Sequence, residues 1–226
     1  MRFRHLLLWD MRFQARYGFY LLYGFLTALY VVLLLSLPQT WKQTAAAILI
    51  YSDPAAMGLF FMGAIVLLEK SQQVTSFFAV FPLKALEYVG SKVLSLSLIA
   101  LLVAAVLAMA AGCRSLLSVL VGTFLSCVLF TLAGIVIAAK IASLNQFLLA
   151  TVPVEILAFV PAILHLFGIT PSILRIHPAN VCMDFIAGRA ISVTGLILTM
   201  ALIAFLLFAA CRCVLKMWMG AGGMKL

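Results

Sequence analysis

Residues 17–37 carry no charged side chain, and the runs 93–112, 115–139 and 191–211 repeat that pattern. A helix of about 20 apolar residues is long enough to cross the ~30 Å hydrocarbon core of a bilayer. Two further stretches, 48–68 and 147–168, are equally apolar apart from Asp53 in the first and Glu155 and His165 in the second. Backbone in lipid must satisfy its hydrogen bonds internally, as a helix or a closed barrel. Continuous runs such as residues 29–35 lack the alternation of a barrel strand. The chain is therefore expected to be an all-α integral membrane protein with six transmembrane helices in one domain over 1–226.

Composition excludes a soluble domain, with 66% hydrophobic and 9% charged residues against roughly 25% charged in soluble proteins. The net charge of +9 follows topology rather than nucleic-acid binding. With both termini in the cytoplasm, Arg2, Arg4, Arg12, Arg16, Lys70, Lys84, Lys92, Lys140, Arg212, Lys216 and Lys225 lie inside, and Lys42, Arg114, Arg175 and Arg189 outside. This is the asymmetry of the positive-inside rule, and it predicts a multi-pass topology with both termini and residues 69–92 cytoplasmic; a plasma-membrane location is expected. The first 16 residues spread four arginines and an aspartate among apolar positions and show no signal-peptide cleavage pattern. They read as a helix in the headgroup region, with Trp9 and Phe13 one turn apart, or as a basic flank that orients the first span.

Several features have a structural and a functional reading. Trp41 and Lys42 are an expected anchor at the outer surface. Asp53 and Pro54 are placed near the outer start of the second span, where Asp caps a helix and Pro suits its first turn. A turn near residues 112–115 makes the third and fourth spans a hairpin, with Ala104, Ala108, Gly122, Ser126, Ala133 and Gly134 allowing close helix contact. In the fifth span Pro153 and Pro161 flank Glu155, read as the one acidic residue well inside a span. It either lines a substrate path or helix interface, or is a neutral acid satisfied by a neighbouring helix. Residues 169–190 form an outer connection in which SILRI, between Pro171 and Pro178, suggests short re-entrant helices. Of five cysteines, Cys113 and Cys182 would share the outer side, so a disulfide and unpaired apolar packing both stand; Cys211 and Cys213 lack the further ligands of a zinc site.

The chemistry of common enzymes is missing. Gly90-Ser91-Lys92 lacks the earlier glycine of a phosphate-binding loop, with Ala85 in its place. No HExxH or GxSxG occurs, and His5, His165 and His177 are dispersed. No catalytic set, metal site or cofactor is assigned to this chain.

The segment 69–92, EKSQQVTSFFAVFPLKALEYVGSK, is long for a link between two spans. Val74, Phe77, Phe78 and Phe81 fall on one flank of a short amphipathic helix that Pro82 ends. It is either a docking helix across the bundle's cytoplasmic face or a solvated loop held by basic anchors. The segment resembles that of the membrane subunits of type-2 ABC exporters. There the second span ends in Glu and a basic residue, a coupling helix follows, and a Pro and a further basic residue come thirteen and ten positions on. Glu69, Lys70, Pro82 and Lys92 keep that spacing, with Glu87 and Gly90 in familiar places. Gln73 stands where Gly is usual and Phe81 where Ser or Thr is usual, which bears on the shape of the coupling helix. The resemblance covers the whole chain, including Asn145-Gln146-Phe147 and His177-Pro178, and within the family the chain looks like the fluoroquinolone-type drug-export permeases.

The resemblance implies a permease subunit, paired with itself or a sister chain, above two ABC ATPase subunits that bind ATP and Mg. It implies coupling through Glu69, Lys70, Gln73, Val74, Phe77, Phe78, Phe81, Pro82 and Lys92, with the ATPase docked on residues 70–83. A path for a drug-like amphipath is expected along Glu155, Phe159, Tyr23 and Phe60. Two other classes remain open at this point: the six-helix substrate-binding module of a vitamin-type importer, and an intramembrane lipid-modifying enzyme.

Overall fold

The turn after the third span shows how local sequence sets the path of the chain. Gly112 adopts a left-handed φ of 68°, and Cys113 N–H returns to the Ala108 carbonyl at 3.0 Å, a Schellman closure. Ser115 then accepts a hydrogen bond from Ser118 N–H and caps the next helix, so two long helices run antiparallel. The structure, a computed structural model, describes residues 2–74 and 83–221. Its elements are α1 (Arg2–Arg16), α2 (Phe19–Ser36), α3 (Gln39–Ile50), a π-helical turn (Tyr51–Ala55), α4 (Met57–Ser71), α5 (Ala85–Ala111), α6 (Leu116–Lys140), α7 (Leu144–Leu166), a 3₁₀ turn (Ser172–Ile176), α8 (Pro178–Ala187) and α9 (Val193–Ala221).

Six helices among the described residues are long and apolar enough to cross a membrane, as the apolar stretches predict. They alternate between a proximal end, which holds α1 and the Glu69 and Lys92 side chains, and a distal end, which holds α8. The second crossing differs from expectation: it is continuous over Gln39–Ser71 and starts nine residues before position 48. Asp53 and Pro54 therefore lie inside the helix, in its π turn, rather than capping its start. Pro54 has no N–H for the carbonyl one turn back, and a wider π turn is one way to absorb that loss. Glu155 is thus not the only acidic residue well inside a span.

The third crossing begins at Ala85 rather than 93, because Glu87 accepts from Lys84 N–H at 3.2 Å and closes the helix start. The sixth continues to Ala221 rather than 211. Ala210, Val214 and Trp218, spaced by four, are buried, so charged Arg212 and Lys216 do not end it. Hydropathy stops at such charges; helical periodicity does not.

Packing centres on α4, α5 and α6. A Cβ on Gly58 would meet Thr131 Oγ1 at 2.0 Å, and one on Gly134 would meet the Leu59 carbonyl at 2.9 Å. Lipid offers no hydrophobic drive between helices, so such close approach supplies the dispersion contact instead. Gly58→Val should force α4 from α6 at a cost of about 1–3 kcal/mol, read as a lower unfolding midpoint of the detergent-solubilised protein; an unchanged midpoint would contradict this contact. By contrast α2, α7 and α9 present Leu21, Leu149 and Phe205 outward at 80%, 75% and 65% exposure, an apolar surface suited to lipid or a second subunit.

The distal end is closed by the link that SILRI announced. The His177 ring accepts from Ala179 N–H, Pro178 occupies the first turn of α8, and Asn180 Nδ2 donates to the Leu174 carbonyl at 2.6 Å. Burial holds His177 below the usual imidazole range, the state in which the ring accepts. α8 is buried over most of its length and sits against Gly122, where a Cβ would come within 2.6 Å of Phe185.

Candidate functional site

At the proximal end three charged side chains meet inside the protein. Glu69 ends α4, Lys92 lies two turns into α5, and Asp10 projects from α1; they are 0%, 1% and 3% exposed. Lys92 Nζ lies 2.5 Å from both Glu69 Oε1 and Asp10 Oδ1. The Tyr88 hydroxyl donates to Glu69 Oε2 and the Ser91 hydroxyl to Asp10 Oδ2 at 2.7 Å. One turn on, Gln14 Nε2 donates to Ser95 Oγ at 2.9 Å. Trp9 and Tyr88 place ring faces 5.7 and 5.2 Å from the Lys92 ammonium, a cation–π setting. Trp218 of α9 packs edge-on against Tyr88.

Burying charge is tolerable only when each partner is paired and hydrogen-bonded. Here the positions that bracket the 69–92 segment are bonded to each other, which pins the two ends of the segment together. The N-terminal helix, which sequence alone places in the headgroup region, joins them through Asp10. The signal was present: Asp10 and Gln14, one turn apart, are the unmatched polar residues on an otherwise basic and apolar helix. Trp9, Phe13 and Tyr17 line another edge with tilted rings at 5.5 and 4.4 Å.

Lys70 has a different task from its neighbour. Its ammonium donates to the carbonyls of Ala138, Ala139 and Ile141 at 2.7, 3.0 and 2.7 Å. These lie at the end of α6, where carbonyls have no intrahelical partner and the helix dipole favours a cation. Lys70→Met should cost about 1–3 kcal/mol, seen as faster amide exchange in the last turn of α6; unaltered exchange there would contradict the cap. Gln73 has a left-handed φ of 56°, the conformation that suits the glycine usual at this position in the resembled family. Gln72 donates to the Tyr17 hydroxyl at 3.1 Å, and Val74 is partly buried. Phe77, Phe78, Phe81 and Pro82 lie outside the described residues.

The path residues separate into two groups. Tyr23 is buried, edge-on to Phe61 at 5.5 Å, and Phe159 packs against Tyr51 and stacks on Phe130 at 5.7 Å. Phe60 is exposed on α4. Glu155 is half-buried on α7, which keeps Pro153 and Pro161 inside a continuous helix. Beside them an apolar cavity of ≈ 250 Å³ lies between α6, α7, α8 and α9, lined by Tyr51, Phe130, Ala158, Cys182 and Leu206 among others.

A second, polar cavity of ≈ 520 Å³ opens at the distal end around His165, Thr170, Arg175, Asp184 and Arg189. His165 Nε2 pairs with Asp184 Oδ1 at 2.9 Å, and Nδ1 meets the Thr170 hydroxyl at 3.2 Å. Arg189 donates to the carbonyls of His165 and Leu166 and so closes α7. Sequence spacing left His165 without a partner; the return of α8 supplies one. Cys113 and Cys182 are both free, and burial raises both thiols, that of Cys182 to about 12, so the unpaired packing reading describes them. Among the described residues no group of three or more His, Cys, Asp and Glu gathers as a metal site.

Comparison with known proteins gives one family. Residues 1–224 match the fluoroquinolones export permease protein family. Fluoroquinolones export permease proteins from two strains of Mycobacterium tuberculosis, CDC 1551 / Oshkosh and ATCC 25618 / H37Rv, are each 28% identical to the chain over 166 residues. The match covers 72% of this chain and 70% of each relative.

Proposed function

The chain belongs to the fluoroquinolones export permease protein family, and from that premise we propose that it is the membrane-spanning subunit of an ATP-driven ABC exporter of drug-like amphipaths, fluoroquinolones among them. The family match over residues 1–224 carries this reading. The proximal end faces the cytoplasm, where two ATPase subunits bind ATP and Mg and dock on residues 70–83. Two permease chains, identical or sister, meet through their exposed apolar helices. The route of the cargo follows their exposed sides, past Phe60 and Glu155, with Tyr23 and Phe159 packed behind it.

The buried bracket of Glu69, Lys92 and Asp10 supports a mechanical role for the segment. A push on a free loop would be lost as loop motion, whereas a push between two clamped ends reaches α4, α5 and α1 together. Lys70 extends the connection to α6. Closure of the ATPase pair would then rock these helices as a unit, a rigid-body device common in transporters.

Cells expressing the chain with its partner ABC ATPase should accumulate less of a fluoroquinolone than cells expressing either alone, and the two chains should copurify. Purification of the chain with a tightly held small molecule and no ATPase contact would instead favour an importer's binding module.

A further inference from the structure

α7 and α9 each pack on α6 and α8 but not closely on each other, and the apolar cavity of ≈ 250 Å³ occupies the slot this leaves. It opens where Leu157 of α7 and Leu202 of α9, both in its wall, are 65% and 37% exposed. Both helices are long and apolar enough to cross a membrane, so the mouth faces hydrocarbon. The hydroxyls in the wall are committed to the protein: Tyr51 donates to the Ala158 carbonyl at 3.2 Å and Ser126 to the Gly122 carbonyl at 2.7 Å. What the slot offers a ligand is therefore chiefly apolar surface.

Two observations select the shape of that ligand. The slot has an aromatic wall: Tyr51 and Phe130 line it edge-on to each other with ring centroids 5.9 Å apart, and Phe159 packs edge-on to Tyr51 and stacks on Phe130. Ring edges and faces presented together favour a further ring. The slot is also short. Its lining runs from Val154 to Ala158 on α7 and from Leu202 to Leu206 on α9, about 6 Å of each helix axis, and from Ser126 to Ala133 on α6, about 10 Å. An extended lipid chain spans half of the ~30 Å hydrocarbon core and is longer than that. An apolar cavity of about 150 Å³ holds one benzene ring, so this larger one has room for two fused rings.

We propose that this slot holds the fused aromatic ring system of the cargo, which enters it sideways from the bilayer. The proposal rests on the export-permease reading and adds to it the part of the cargo that is gripped, in a side slot within one chain.

The test measures binding of ciprofloxacin, a fluorescent fluoroquinolone, to the full chain with its partner ABC ATPase in nanodiscs without ATP, and ATP-dependent uptake of the same compound into inside-out vesicles. Ala158→Phe puts a ring of the protein's own into the slot and should weaken binding about tenfold or more, because the cargo ring loses its burial. Ala133→Leu fills less of the slot and should weaken binding about threefold, and it decides the matter if Ala158→Phe does not assemble. Naphthalene, two fused rings with no polar group, should displace ciprofloxacin from the wild type, and palmitate should not. Displacement by palmitate as effective as by naphthalene assigns the slot to lipid chains and overturns the proposal. Unchanged affinity in the filled variants, with wild-type uptake intact, also overturns it and leaves the exporter reading standing; a wild type without ATP-dependent uptake overturns the exporter reading and the proposal with it.

Discussion

Lys92→Met should destabilise the protein by about 3–5 kcal/mol, because it leaves Glu69 and Asp10 buried with no counter-charge. The hydroxyls of Tyr88 and Ser91 remain as donors, but hydroxyl dipoles do not neutralise two carboxylates at 0% and 3% exposure. The same account expects rescue. Glu69→Gln and Asp10→Asn in the Lys92→Met background remove the stranded charges and should restore most of the loss, since a neutral buried set is often as stable as a paired one. Unfolding midpoints of the four combinations form a cycle whose coupling term isolates the cluster. A Lys92→Met protein as stable as wild type would show that the three charges do not meet.

Phe77→Ala with Phe78→Ala should abolish most transport while leaving the folded permease at normal abundance. Aromatic anchors at an interface contribute about 2 kcal/mol or more, so each ring lost would weaken docking roughly thirtyfold. The stability prediction is different from that for Lys92, because these rings belong to the proposed contact and not to the clamp beneath it. Hydrolysis by the ATPase should continue, now disconnected from drug movement. Normal drug export by the double variant at normal expression would remove the segment from the coupling role.

The fold class was open to direct reading because lipid leaves a chain few choices. A stretch of apolar residues that must satisfy its own backbone becomes a helix, so six spans follow from residues 17–37 through 191–211. Structure and expectation part where a charged residue lies inside a helix rather than at its end. Asp53 looked like a cap but sits in a π turn, Glu87 and Lys92 hid the early start of α5, and Arg212 hid the late end of α9. Polarity does not by itself mark a helix end: Glu87 bonds locally to the Lys84 backbone inside the first turn of α5, and Arg212 is exposed on a helix whose apolar positions continue past it.

The proximal site was legible as spacing and not as contact. Glu69 and Lys92 stood out because the resembled family keeps those positions, yet nothing in a single chain says that they face each other across the segment. Asp10 was invisible for the same reason: its partner is 82 residues away. Lys70 was grouped with the docking residues, and its bond to the end of α6 needed the return of a helix two crossings later. His165 likewise gains Asp184 only once α8 folds back.

The central claim is that a separate ATPase drives this permease through residues 69–92. The most direct measurement is fluoroquinolone uptake into inside-out vesicles that contain the chain, a partner ABC ATPase or both, with ATP or a non-hydrolysable analogue. The account predicts uptake only with both chains and hydrolysable ATP, and loss of that uptake, but not of hydrolysis, in the Phe77→Ala, Phe78→Ala variant. Uptake by the chain without the ATPase, or undiminished uptake in the variant, would contradict it.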